Sequence, residues 1–423
     1  MPGAYEPPFC GTAFLRTISR ARRGRGTGLP SGLVRNSSIS ESSDLAGRET
    51  WLFDIRRPER ALDLLMPRIR VESYDRLVDG SFYDRFADAE GPVASAYLLS
   101  AAPNDHKRFP KAFLDLEHLR QSARADRFRV HHLAETPEEA DLIIFVEVSS
   151  AAGHYFERVR RHPIYRFFHG KSYLFSSTDR IVPFLPGIYA SVERSWYWPN
   201  WARSGHYLGI REDRELRYEP NQRSPSYLFS FVGLTKTHPV RRRLVELRHH
   251  DALVIDTEAI SSEARRRTHP PPTTDEYRRR YADSIRDSAF VLCPRGGGTA
   301  TFRLFETMMV GRAPVIVSDE WVPPEGPNWE NFSLRVKEAE VARIPAMLEA
   351  YASEAASMGE TARAAWLDWF SEQSSFHRVV DWCLDLEASA SSRAGVRRYA
   401  PYVQMLRPYH SARWVAKRLG LGD

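Results

Sequence analysis

The chain has 423 residues, room for two to three domains at about 100–200 residues each, and 42% hydrophobic and 12% aromatic content supports a real core. Residues 1–40 carry a net charge of +5 and residues 393–423 a net +6, so an overall +6 leaves the body between them at −5, which argues against a nucleic-acid-binding core. Three distant cysteines, Cys10, Cys293 and Cys383, suit neither a disulfide framework nor a zinc site, and no run reaches the roughly 18 apolar residues of a membrane span.

The first 45 residues mix Arg, Gly, Pro and Ser without the apolar segment of a signal peptide, and are expected to form a disordered arm. From residue 93, short apolar runs alternate with helical patterns, as in β-α-β units around a parallel sheet. Strands are expected at 93–100, 127–133, 141–148 and 171–177, with helices at 110–123 and 151–161. Residues 179–225 hold Pro183, Pro186, Pro199, Pro220 and Pro225 and read as an irregular boundary segment. Its aromatic cluster, Trp196 to Trp201, reads as a plug between domains in preference to a sugar-stacking platform.

A second α/β series follows: strands at 226–233, 252–256, 289–293 and 313–318, helices at 239–249, 274–287 and 300–310, then mostly helix from about 341. Two such units predict a cleft between Rossmann-like domains, with ligands at the carboxyl ends of the strands.

The most informative stretch is AFVLCPRGGGTATFRLFETMMVGRAPVIVSD, residues 289–319. A strand ends at Cys293 and Pro294, then Gly296, Gly297 and Gly298 let the backbone approach a ligand, and a helix expected to open near Thr299 offers N–H groups to a phosphate. The spacing is neither GxGxxG nor the P-loop, which removes support for hydride and phosphoryl transfer. Phe302, Phe305 and Met309 are expected to face inward, with Arg303 and Glu306 sharing another face. There Arg303 suits a diphosphate and Glu306 the two hydroxyls of a ribose.

CPRGGGTATFRLFETMMVGRAPVIVSDEWVPP resembles the donor-binding signature of the exostosin family of glycosyltransferases. FSFVGLTKTHPVRRRL (229–244) and NWENFSLRV (328–336) extend the resemblance, and ADLIIFVEV (140–148) carries it more weakly. The resemblance implies an α/β GT-B fold, an inverting mechanism and a nucleotide-sugar donor, a UDP-sugar, with no cofactor and no essential metal. Its N-terminal aromatic and glycine-rich motif is not reproduced at 161–179. The domains expected on this basis are the arm 1–45, an acceptor-side domain 46–225, a donor-binding domain 226–370, and C-terminal helices with a basic tail, 371–423. The family's membrane anchor is not seen, so a bacterial type of enzyme is expected in the cytoplasm.

Inverting transfer needs a general base and positive or N–H groups on the departing phosphates. Asp179, after the strand ending at 177, is the leading base, with His162 and His169 as alternatives. For the phosphates the candidates are Gly298, Thr299 and Arg303, then Arg295, Lys236 and Arg241, while Asp319 is placed beside the transferred sugar. The expected partners are the nucleotide-sugar and a glycan or lipid-linked acceptor, with no nucleic acid. The tail at 408–423 reads either as a basic amphipathic helix on an anionic membrane or as a helix packed back onto the first domain. A catalytically inactive GT-B-like protein that binds a glycan or nucleotide is the other functional reading.

Overall fold

The structure, a computed structural model, describes residues 93–102, 110–148, 154–212, 215–220, 224–258, 274–389 and 400–418. The expected arm at 1–45, with Cys10, lies outside them, as do residues 419–423 of the tail. All described residues fall within one compact unit, Glu72–Asp423.

Two wholly parallel sheets form the architecture. The first contains β1 (Ser95–Leu99), β2 (His132–Leu133), β3 (Leu142–Glu147), β4 (Ser172–Ser176), β5 (Gly187–Tyr189) and β6 (Ala202–Ser204), in the order β2-β1-β3-β4-β5-β6. The second contains β7 (Tyr227–Gly233), β8 (Ala252–Asp256), β9 (Ser288–Pro294), β10 (Ala313–Val317) and β11 (Leu334–Arg335), in the order β11-β10-β9-β7-β8. The central strands β3, β4, β9 and β10 are near-continuous apolar runs, as strands covered by helices on both faces require, and nearly every residue in them is buried. In-register pairing of Glu147 with Ser176, and of Ser176 with Tyr189, brings three carboxyl ends of the first sheet level with one another.

Two expectations are corrected here. The strand expected at 127–133 shrinks to an exposed edge pair, because Arg129 adopts a left-handed φ of 56° and Asp126 binds the N–H groups of Phe128 and Arg129. The proline-rich segment 179–225 contributes β5 and β6, since the three-residue strands fit between Pro186 and Pro199 and beyond, where no ladder N–H is missing.

Of the helices, α1 (Pro110–Ala125) covers the first sheet, α2 (Glu157–Arg161) and α3 (Pro163–Phe167) precede β4, and α4 (Pro239–Val245) and α5 (Thr274–Arg286) flank the second sheet. Helix α6 (Phe302–Met309) connects β9 to β10, and α7 (Ile344–Ala350), α8 (Ala355–Trp369) and α9 (Ser375–Ala388) follow the second sheet. Helix α9 returns to the first sheet: Ser122 accepts the Phe376 N–H at 2.8 Å, and His206 bonds Ser375 at 2.9 Å. One core cluster accordingly joins Phe175 and Tyr207 of the first half to Phe305, Val380 and Trp382.

Asp381 of α9 meets His131 at 3.0 Å and His377 at 3.3 Å, a grouping with the ligand types of a metal site. The Nδ1 of His131 accepts the Ala94 N–H, so its Nε2 carries the proton and donates to Asp381. That tautomer makes the trio a hydrogen-bonded clamp between sheet edge and helix.

The chain ends in α10 (Ala400–Gln404) and α11 (Pro408–Arg418), which lie on the first half: Tyr402 packs edge-on to Phe184 and His410 bonds the Tyr155 hydroxyl at 3.1 Å. This is the packing alternative of the sequence reading; Trp414 and Val415 stay 39% and 46% exposed. No helix among the described residues is long and apolar enough to cross a membrane.

Burial lowers the pKa of His206 to about 3, and those of His377 and His410 to about 4. Unfolded histidine takes its proton near pH 6.5, which the folded chain refuses until far lower, so this stability is full above that value and falls as the solution is acidified. His206 alone is expected to cost about 2 kcal/mol between pH 7 and pH 5. Urea titrations at both pH values should show a smaller loss in His206→Asn than in the parent.

Candidate active site at the glycine loop

Beyond β4 the chain runs Ser177, Thr178, Asp179, Arg180, all at a carboxyl end. Ser177 donates to Asp115, and Lys111 reaches both Asp115 and Ser177 at 3.0 Å, which fixes the first of these residues against α1. Asp179 accepts a hydrogen bond from Tyr207 at 3.1 Å, and the Tyr207 ring stacks on Phe302 at 4.0 Å. As a residue Asp179 retains exposed surface, but its carboxyl end is crowded by protein, and the carboxyl neighbourhood governs its charge. Desolvation there raises its pKa, against the Tyr207 bond and the charges of Lys111, Arg180 and Arg241.

From the other half, the loop 295–301 leaves β9 and meets this carboxylate directly. A Cβ at Gly298 would sit 2.6 Å from Asp179 Oδ1 and 2.2 Å from Ser191 Oγ, so only glycine permits the approach. At Gly297 the Cβ position lies 3.6 Å from Asp179 Oδ2, an ordinary van der Waals distance. The structure therefore brings Asp179, Gly297, Gly298 and Thr299 together.

The expected helix start at Thr299 is corrected: α6 begins at Phe302, and the N–H groups of Thr299 and Ala300 donate to Ser191 Oγ at 2.7 and 3.2 Å. Thr299 also donates its hydroxyl to Val192 O at 3.0 Å. These loop amides thus turn toward the first half. The inward stripe is corrected too, because Phe302 is 42% exposed against Tyr207 while Arg303 is only 7% exposed.

The basic candidates divide by what they already hold. Arg241 donates to the carbonyls of Arg295 at 2.8 Å and of Leu234 and Pro294 at 3.2 Å, and burial, then the nearby Arg303, lowers its pKa to about 10. Arg303 donates to Val232 O at 2.5 Å and lies over the rings of Phe231 and Tyr281 at 4.7 and 5.4 Å. Half-buried Glu306 accepts from the Tyr281 hydroxyl. Arg295 stands 3.8 Å from Glu338 and borders a cavity of about 430 Å³. Lys236 pairs with Glu258 at 3.4 Å on the surface. Asp319 exchanges bonds with Glu338, accepting its N–H at 3.0 Å and donating its own at 3.2 Å, so it shapes the turn after β11.

The cavity is walled by three parts of the chain: Arg180 and Glu193 after β4 and β5, His238 and Arg295 of the second half, Arg407 and His410 of the C-terminal helices. Its lining carries three arginines, Arg180, Arg295 and Arg407, against two carboxylates, Glu193 and Glu320, and the excess of arginine suits an anionic ligand. Arg180, Ser191, Tyr207 and His238 escaped the sequence reading. Arg180 adjoins Asp179 and was within reach of it; Ser191 and Tyr207 lie in the segment set aside as irregular. Glu147 was missed too, a wholly buried carboxyl at the end of β3 whose pKa burial raises to about 8.

The alternative bases lie elsewhere. His162 packs edge-on to Phe145, and His169 is exposed just ahead of β4, on the strand's amino-terminal side. In the aromatic cluster, Tyr197 donates to Glu325 at 3.0 Å beside an Arg203–Glu325 ion pair at 2.5 Å, contacts that plug the junction of the halves.

Residues 204–351 match the Exostosin GT47 domain. The chain is 30% identical over 156 residues to the Exostosin-1 homolog of Caenorhabditis elegans, covering 34% of this chain and 40% of that protein. It is 33% identical over 70 residues to a probable glycosyltransferase of Arabidopsis thaliana, covering 16% and 14%. The chain thus spans less than half the length of these relatives. Among solved structures it is similar to Anabaena HepE in complex with UDP-glucose, at 11% identity and TM-score 0.36 over 70% of this chain and 99% of that one. It is also similar to Acinetobacter baumannii MurG, at 9% identity and TM-score 0.30 over 69% and 99%. The matched segment runs from the end of β6 to the end of α7 and includes the glycine loop, so it is this part of the chain that is similar to the Exostosin GT47 domain.

Proposed function

We propose that the protein is an inverting glycosyltransferase that moves a sugar from a nucleotide-sugar donor, a UDP-sugar, to a hydroxyl of a glycan or lipid-linked acceptor without a bound metal. The observation that carries this reading is the contact of the Asp179 carboxylate with the backbone of Gly297 and Gly298, beside a basic cavity. The family match over the same loop supports it.

In this reading Asp179 takes the proton of the acceptor hydroxyl as its oxygen bonds to the anomeric carbon. The bond from that carbon to the phosphate oxygen breaks on the opposite face, and the nucleoside diphosphate leaves with the electron pair. A raised pKa suits a base, since proton affinity grows with it. Arg295 faces the departing phosphates from the second half, and Glu306 is assigned to the ribose. Arg241, Arg303 and Asp319 serve the loop around the donor, and Lys236 has no assigned contact. The site works where the protein meets its acceptor, in the cytoplasm or at the inner membrane surface.

Four outcomes are expected. Glu306→Ala should weaken UDP binding by about 1.5–3 kcal/mol in a calorimetric titration, the range of a hydrogen bond to a charged group. Arg303→Ala should lower folding stability itself by about 2–4 kcal/mol, since it leaves the buried Val232 carbonyl without its donor, and chemical denaturation would measure this. Asp179→Asn should keep UDP affinity and cut transfer by about two to four orders of magnitude. In the parent, the acidic limb of the pH–rate profile should lie above the ordinary aspartate value of about 3.9; normal turnover in the Asn variant would move the base elsewhere.

A further inference from the structure

The cations around the cleft are nearly all committed. Arg241 holds carbonyl oxygens, Arg303 holds one through Nη2 and buries its Nη1 away from the cavity lining, Lys236 faces Glu258, and Arg407 pairs with Glu193. Arg180 differs. Its Nε donates to Gly297 O at 2.6 Å and its guanidinium lies 4.6 Å from the centre of the Tyr409 ring, yet among the described residues its two terminal nitrogens have no acceptor. They border the cavity of about 430 Å³.

The backbone at Arg180 adds a second observation. Its φ of 49° lies in the left-handed region that residues other than glycine seldom occupy. Such a conformation persists only where surroundings impose it, and here Gly297 and Tyr409 grip the side chain from two other segments. The result is a guanidinium held in one orientation immediately after the candidate base.

We propose that Arg180 reaches from the first half to the β-phosphate of the donor and stabilises the charge that collects there as the sugar departs. The inference rests on the proposed transfer reaction and adds to it a leaving-group contact supplied by the acceptor-side half. As the anomeric carbon–oxygen bond breaks, its electron pair passes to the β-phosphate oxygen. Two fixed N–H donors aimed at that oxygen act without reorganising, which is when charge stabilisation is strongest. Because Asp179 and Arg180 are consecutive, one turn would set the base and the leaving-group contact in mutual register. His238 and His410 face the same guanidinium, and burial holds both near a pKa of 4, so neither adds competing charge at neutral pH.

The test is calorimetric titration of the full chain with UDP and with UMP, for the parent, Arg180→Ala and Arg180→Lys, beside their melting temperatures. The parent should bind UDP more tightly than UMP. Arg180→Ala should lose at least about tenfold in UDP affinity while UMP changes by less than about twofold, and Arg180→Lys should recover part of the loss. An Ala variant that keeps the parent's UDP-to-UMP ratio overturns this inference alone. So does equal loss of both nucleotides, which would assign Arg180 to holding the loop. A parent that binds neither nucleotide overturns the transfer reading and this inference with it.

Discussion

The structure depends on a backbone contact: the chain at Gly298 lies against the Asp179 carboxylate and Ser191 at a distance that leaves no room for a Cβ. Two parallel sheets with short connections would by themselves leave their carboxyl ends separate. Here the glycine loop closes that distance, so a carboxylate of one half meets main-chain groups of the other. The cavity beside them follows from the same approach, since Arg180 of the first half and Arg295 of the second both line it.

Holding such a loop open to a ligand has a structural requirement of its own. A segment of consecutive glycines loses much conformational entropy on folding, and its carbonyls need donors. Arg180 meets that need at Gly297, Arg241 holds the carbonyls of Pro294 and Arg295 just ahead of the glycines and of Leu234 after β7, and Arg303 ties α6 to the end of β7 through Val232. Arg241 and Arg303 thus brace the loop, and Arg303 keeps a buried Nη1 without a hydrogen-bond partner among the described residues. Ser191 plays the matching part from the first half by accepting two loop amides. Helix α9 then crosses back to lock the halves through buried contacts to Ser122 and His206.

Much of this was legible in sequence because it is written in local pattern. The apolar runs LIIFVE and APVIV specify buried parallel strands, and the pair of α/β series specifies two sheets. The glycine run pointed to the loop, and the position of Asp179 after a strand pointed to the cleft. What was not legible depends on partners far apart in the chain. Nothing local in residues 179–225 marks Ser191 or Tyr207, whose roles arise from contacts with Thr299 and Phe302. The three-residue strands β5 and β6 are too short to show a period. Arg303 and Phe302 exchanged their expected exposure because Tyr207 offers a stacking surface outside the helix while Phe231 and Tyr281 receive the guanidinium inside it.

The central claim is that one ligand site is assembled from both halves at the glycine loop. Hydrogen–deuterium exchange with and without saturating UDP tests it most directly. The account predicts that UDP slows exchange in two separate stretches together, residues 178–192 and residues 295–303. Slowing confined to one of these stretches, or centred on a different part of the chain, would contradict it.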